Sequence, residues 1–164
     1  MKYVKEIMPY VIIVVVVVLF RSYIATPVRV DGDSMYPTLK NGQILILNKL
    51  DKEYERMEIV VFDYKGERLI KRVIGLPGDT VEYKYNKLYV NGKEVIETFE
   101  HKDTDDFKLS DIDVEIIPDD YYFVVGDNRS NSKDSRIIGL IHKNQIMGKT
   151  NFIIFPFNHF GKVE

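Results

Sequence analysis

Three stretches of this 164-residue sequence carry side chains suited to covalent chemistry, and none of them uses cysteine, which is absent. Without cysteine there are no disulfides, thiolate metal sites or cysteine nucleophiles. The three histidines, His101, His142 and His159, lack metal-ligand spacing such as HExxH, and each reads as a surface residue before it reads as a base. No metal and no cofactor is expected. The remaining route to an activated nucleophile is a lysine kept neutral by its surroundings.

Lys71 is the candidate for that base. In Arg68-Leu69-Ile70-Lys71-Arg72-Val73-Ile74-Gly75, alternation puts Leu69, Lys71 and Val73 on one strand face and Ile70, Arg72 and Ile74 on the other. A lysine between Leu and Val can be desolvated, which disfavours its ammonium form. Moving it from about 10.4 to about 8 costs roughly 3 kcal/mol. Taken alone, the same residue also reads as a lysine snorkelling from a sheet edge.

Ser34 supplies a nucleophile. It lies in Asp31-Gly32-Asp33-Ser34-Met35-Tyr36-Pro37-Thr38-Leu39, a loop in which Gly32 lets the backbone approach a ligand and Pro37 holds Tyr36 extended. A serine exposed there can aim its own N–H at an oxyanion. The third stretch is Gly126-Asp127-Asn128-Arg129-Ser130-Asn131-Ser132-Lys133-Asp134-Ser135-Arg136. It is a polar loop after an apolar strand, readable alone as a turn held by Asx bonds.

These stretches need elements to hold them. Val11 to Phe20 are all apolar, preceded by Lys2, Lys5, Glu6 and Pro9 and stopped by Arg21. Counted from Ile7, the run makes roughly 21 Å of helix, short of a hydrocarbon core of about 30 Å. Snorkelling of Lys5 and Arg21, with Tyr3 and Tyr23 at the two interfaces, closes the gap. A cleaved signal peptide would need small residues where Phe20-Arg21-Ser22-Tyr23 stands, and a buried helix would carry a polar face. Residues 1–25 are therefore expected to form an uncleaved signal-anchor. Lys2 and Lys5 place the N-terminus in the cytoplasm, with everything after Arg21 outside the membrane.

The remaining residues, 26–164, read as β-rich. Gln43–Leu47, Glu58–Phe62, Leu69–Ile74, Thr80–Tyr85, Leu88–Val90, Tyr121–Val125 and Gln145–Phe155 are apolar or alternating runs between Asn-Gly, Pro-Gly-Asp and Gly-Asp-Asn turns. Leu88 to Val95 reads as a hairpin with a type I′ turn at Asn91-Gly92. Glu94 to Asp120 holds eleven carboxylates and reads as a solvated excursion, part of a small cap at residues 81–120. Asp103, Asp105 and Asp106 lack the glycine and glutamate of an EF-hand. The run Asn151 to Phe157 reads as a final core strand, or as an aromatic patch dipping into the membrane interface. A net charge of −2 removes the electrostatic case for binding nucleic acid.

Taken together, the stretches resemble the type I signal peptidases, membrane-anchored Ser–Lys endopeptidases. The matches run in family order: an N-terminal anchor, Ser34 to Leu39, Glu58 to Phe62, Ile70 to Asp79, then Gly126 to Arg129, Ser132, Asp134, Ser135, Arg136 and Gly139. The resemblance implies a mainly β fold, with one transmembrane helix followed by a compact antiparallel domain of partly open, barrel-like sheets. It implies Ser34 as nucleophile and Lys71 as general base, with Ser132 orienting the lysine amine. Asp127, Arg129, Asp134 and Arg136 would form a polar network behind the site, with Asp134 and Arg136 as an ion pair. Met35, Gly32 and Arg72 would border the substrate pocket. Two positions depart from the pattern. Gly32 stands where some members carry the Ser or Thr of the oxyanion hole, and Met57-Glu58 replaces a usual Gly-Asp.

The activity implied is removal of signal peptides from exported preproteins after small residues, through an acyl-enzyme. The partners implied are signal peptides and the lipid bilayer, and the location is the cell membrane with the catalytic domain outside. Ser130-Asn131-Ser132-Lys133 also reads as the S-x-x-K of penicillin-recognising enzymes. That reading fails on length, and because Asn151 stands where Lys149-Thr150 should be followed by glycine. The remaining alternative is a catalytically idle, membrane-anchored β domain that binds exported proteins.

Overall fold

The computed structural model describes residues 2–23 and 25–163, and on its first helix the side chains of residues 6–18. That helix, α1, spans Lys2–Tyr23 with Pro9 inside it. Its apolar side chains from Val11 to Val18 are exposed. Among the described residues no helix is long and apolar enough to cross a membrane. The side chains described on α1 account for about 20 Å of its length.

Strand β1 (Ala25–Arg29) follows, then β2 (Ile44–Asn48), β3 (Ile59–Tyr64), β4 (Glu67–Gly75), β5 (Val81–Lys84), β6 (Lys87–Val90) and β7 (Lys93–Val95). The chain continues through β8 (Phe107–Lys108), β9 (Tyr121–Val125), the single-turn helix α2 (Ser135–Ile138), β10 (Ile141–His142), β11 (Ile146–Thr150), β12 (Phe152–Phe155) and β13 (Gly161–Lys162). The fold is mainly β, and all pairings are antiparallel. The large sheet runs β10-β9-β4-β3-β11-β2-β12-β13, with β1 on β2, and the second sheet runs β7-β6-β5-β8.

Alternation along β3 divides the core of the large sheet. Ile59 and Val61 pack with Val28, Met35, Leu39, Leu45 and Leu47. Val60 and Phe62 pack on the opposite face with Val73, Tyr122, Val124 and Ile146. A third cluster joins the two sheets through Ile74, Val81, Tyr83, Leu88, Phe123 and Val125.

Two expectations are corrected. Gln145–Phe155 is not one strand. It breaks at Asn151, whose carbonyl accepts the Val163 N–H, so β11 pairs with β3 and β12 passes along β2. The acidic stretch is not simply solvated either. It contributes β8 to the second sheet and buries Thr104, Leu109 and Ile117. The hairpin turn has the geometry expected of it, with positive φ at both Asn91 and Gly92.

The strand edges matter most for the site. The Val73 N–H donates to Glu58 and the Val73 carbonyl accepts from Met57, so Val73 faces β3. By alternation, the backbone groups of Arg68 and Ile70 point away from β3. There β9 no longer pairs, because its register on β4 covers only Arg72 to Gly75. On the other wall, among the described residues, β1 pairs with β2 alone. Val30 exchanges bonds with Gln43 and Gly42 on that side, which leaves the Arg29 backbone pointing outward.

Candidate active site

Ser34 sits in the turn that follows β1. Two local backbone bonds shape this turn, Tyr36 N–H to Asp33 O and Leu39 N–H to Met35 O, while Met35 and Leu39 are buried beneath it. Anchoring the loop by its apolar residues leaves the serine at the surface of the core. The Ser34 carbonyl accepts from Asn128 N at 3.0 Å, and the Asp33 carbonyl accepts from Asn128 Nδ2 at 3.0 Å. Asn128 therefore ties the serine turn to the polar loop after β9.

Lys71 lies opposite Val60 in the β3–β4 register, sharing its face with Leu69 and Val73 by alternation. It is 2 % exposed. Its Nζ lies 2.7 Å from Ser34 Oγ and donates to the Ile70 carbonyl at 2.9 Å, on the open edge of β4. Burial pushes the amine down from 10.5 to about 8, against the pull of Asp134 and Asp127. The fields of two carboxylates are thus outweighed by loss of water. A lone pair is then available at moderate pH beside a hydroxyl.

Behind the dyad the buried charges are paired. Arg72 grips Asp127 with Nε at 2.9 Å and Nη2 at 2.6 Å, and also donates to the Met57 carbonyl. Arg136 pairs with Asp134 at 2.9 Å, the ion pair that the resemblance implies, and donates to the Arg129 carbonyl. Arg129 donates to the Gly126 carbonyl, to Thr104 Oγ1 at 2.6 Å and to Glu97. Asp134 accepts the Gly126 N–H at 3.0 Å. Gly126 itself leaves no space for a side chain, since a Cβ there would lie 2.2 Å from Ser132 Oγ and 2.4 Å from the Ser34 carbonyl.

The structure brings Ser34, Lys71 and Met35 to one cleft of about 160 Å³, walled by Pro27 to Asp31 and by Arg68 to Lys71. Arg72 is not on it. Alternation turns Arg72 to the other face, where it lines a separate cleft of about 330 Å³ with Arg56, Glu58 and Lys149. The larger cleft contains neither member of the dyad. Gly32 is exposed, with φ +87°, and its N–H donates to Asn41 Oδ1 instead of lining the cleft. Ser132 Oγ is buried beside Gly126 and has no hydrogen-bond partner among the described residues. His142 accepts from Asn144 N, and His159 meets Gln43.

Sequence reasoning missed several contributors. Asn128 lies inside the polar loop but carried no role. Glu97, Phe99 and Thr104 come from the stretch read as solvated, and the Phe99 ring lies 3.8 Å beneath the Arg72 guanidinium. Among eleven carboxylates in one stretch, nothing in the spacing marks the one that turns inward.

A serine hydroxyl against a buried amine, on a rigid β scaffold, is the equipment of a hydrolase that works through a covalent ester. Residues 2–155 match the family described as signal peptidase, peptidase S26. The chain is 45 % identical to signal peptidase I S of Bacillus subtilis strain 168, over 94 % of its length and 90 % of the relative's. It is 41 % identical to signal peptidase IB of Staphylococcus aureus strain COL, over 95 % and 93 %. A crystal structure of a signal peptidase I from Enterococcus faecalis V583 superposes with TM-score 0.55 at 35 % identity, covering 59 % of this chain and 96 % of that one. The chain belongs to the signal peptidases of family S26, the serine peptidases that cleave signal peptides.

Proposed function

We propose that this chain is a membrane-anchored signal peptidase I in which Ser34 is the nucleophile and Lys71 the general base. The observation that carries the reading is the 2.7 Å approach of Lys71 Nζ to Ser34 Oγ, with the amine lowered to about 8 by burial. Neutral Lys71 takes the Oγ proton as Ser34 attacks the scissile carbonyl and then returns it to the leaving amine. The resulting acyl-enzyme is hydrolysed by a water that the same lysine deprotonates. The Ser34 N–H is the oxyanion donor, and Gly32 contributes no hydroxyl to that hole. Ser132 orients the lysine amine. Its buried hydroxyl, beside Gly126 and unpartnered among the described residues, is available for that task.

The substrate lies extended between the open edges of β1 and β4, where the backbone groups of Arg29 and Arg68 and the N–H of Ile70 point toward it, the Ile70 carbonyl already accepting from Lys71 Nζ. A shallow cleft floored by buried Met35 suits small side chains before the scissile bond. In this reading α1 is the signal anchor that holds residues 26–164 on the outer side of the cell membrane, with residues 81–120 as a cap. Its uninterrupted apolar run and the lysines ahead of it support that placement. A catalytically idle binding domain would leave the cost of a buried lysine without purpose. The test is cleavage of a preprotein in detergent by Ser34→Ala and Lys71→Ala. Both are expected to lose turnover, and near-normal turnover in either overturns the assignment.

A further inference from the structure

The polar loop carrying Ser132 is held by groups from outside its own sequence. Both backbone groups of Gly126 are held, its N–H by Asp134 and its carbonyl by Arg129 Nε at 3.1 Å. Gly126 touches both Ser132 and the Ser34 carbonyl so closely that a methyl group could not intervene. The position of Arg129 therefore bears on both sides of the dyad. Arg129 has a fully buried side chain, and the carboxylate that pairs with it is Glu97, whose side chain is 4 % exposed. Glu97 also accepts from Tyr83 OH at 3.1 Å and faces His101 Nε2 at 3.4 Å. These bonds fix Glu97 from both the second sheet and the excursion beyond β7.

We propose that Glu97 is a positioning residue of the active site, holding the Gly126–Ser132 loop through Arg129 and balancing that arginine's charge. The proposal rests on the reading of Ser34 and Lys71 as the dyad. Three guanidinium groups stand behind the site, and three carboxylates match them: Asp127 with Arg72, Asp134 with Arg136, and Glu97 with Arg129. Asp127 and Asp134 are also the carboxylates whose fields favour the Lys71 ammonium. Removing the charge of Glu97 leaves an unmatched buried cation that draws on Asp127. The ammonium of Lys71 then loses support, and its deprotonation moves to lower pH. Glu97 lies outside the substrate cleft, so its loss affects turnover and leaves substrate binding alone.

The experiment compares full-length parent, Glu97→Gln, Glu97→Asp and Thr104→Val in detergent, following kcat and KM for preprotein cleavage across pH. Glu97→Gln is expected to lower kcat by about 10- to 100-fold, the effect of a small misplacement at the reacting groups, with KM little changed. The midpoint of its rising pH limb should fall below that of the parent. Glu97→Asp, which keeps the charge, should restore the midpoint. Thr104→Val removes one bond to Arg129 and no charge, so it should lower kcat at an unchanged midpoint. A Glu97→Gln enzyme with parental kcat and midpoint overturns the proposal, as does a fall in stability with neither kinetic quantity moved. Should Glu97→Gln fail to fold, the other two variants decide, since parental kcat in both overturns it. Ser34→Ala, run alongside, separates the two claims: its retained cleavage would sink the dyad itself, whatever Glu97 does.

Discussion

Replacing Lys71 by methionine should make the protein more stable while abolishing cleavage. The amine sits 2 % exposed and is held at about 8 instead of 10.5. At 1.36 kcal/mol per unit, that displacement corresponds to about 3 kcal/mol of native-state cost at pH 7. The sign follows from proton binding. Between about 8 and 10.5 the unfolded chain holds a proton that the folded chain has released, so stability rises with pH across that window. Below about 8 both states are protonated and the whole penalty stands. Methionine, of similar length and without charge, should recover up to about 3 kcal/mol at pH 7. Urea unfolding of detergent-solubilised parent and Lys71→Met, followed from pH 7 to 10.5, measures it. The advantage of the variant should shrink as pH rises. No gain at pH 7, or a gain that stays constant with pH, would refute the reasoning. In the proposed reading the penalty has a return in activity. At pH 7 roughly one molecule in ten carries a neutral Lys71, against about three in ten thousand for an unperturbed lysine.

Three further outcomes follow from the geometry. Gly126→Ala places a methyl group against Ser132 Oγ and the Ser34 carbonyl, and kcat should fall by about 100-fold; an alanine enzyme with parental turnover would show that the close approach is dispensable. Asp127→Asn leaves Arg72 buried without its partner carboxylate, and urea unfolding should register a loss of about 3–5 kcal/mol. A chain beginning at Ala25 should stop sedimenting with vesicles yet still cleave a short soluble peptide; sedimentation equal to that of the full chain would mean that α1 is not what holds the protein to the bilayer.

How far the sequence could be read depends on whether the signal was local. Lys71 was legible because strand alternation places it between Leu69 and Val73, and burial does the rest. Ser34 was legible because glycine and proline mark its loop. The central strands declared themselves through apolar runs with turn residues at each end. Strand β1 did not, because Pro27 interrupts its five residues and its partner β2 lies on the far side of the serine loop. The break at Asn151 was hidden within an unbroken β-forming run, and only the competing pairings of β3 and β2 reveal it. The resemblance sets Arg72 at the substrate pocket beside Lys71, but a one-residue step reverses the face of a strand, and Arg72 lines the other cleft. Glu97 could not be singled out, because its partner lies 32 positions away and its neighbours are equally acidic.

Under the proposed function, strand β1 has a consequence for where a substrate is cut. It begins two residues after α1 ends, and it forms one wall of the cleft. From Ala25 to Arg29 the chain covers about 13 Å at 3.3 Å per residue. In the proposed reading, a polypeptide emerging from the bilayer and running alongside β1 spends one residue for each of the enzyme's own before it reaches Ser34. In that reading the strand would act as a molecular ruler, counting off the spacing between the end of an apolar segment and the bond that is broken. Its graduations are peptide units, so the measure holds for any sequence able to lie flat against it.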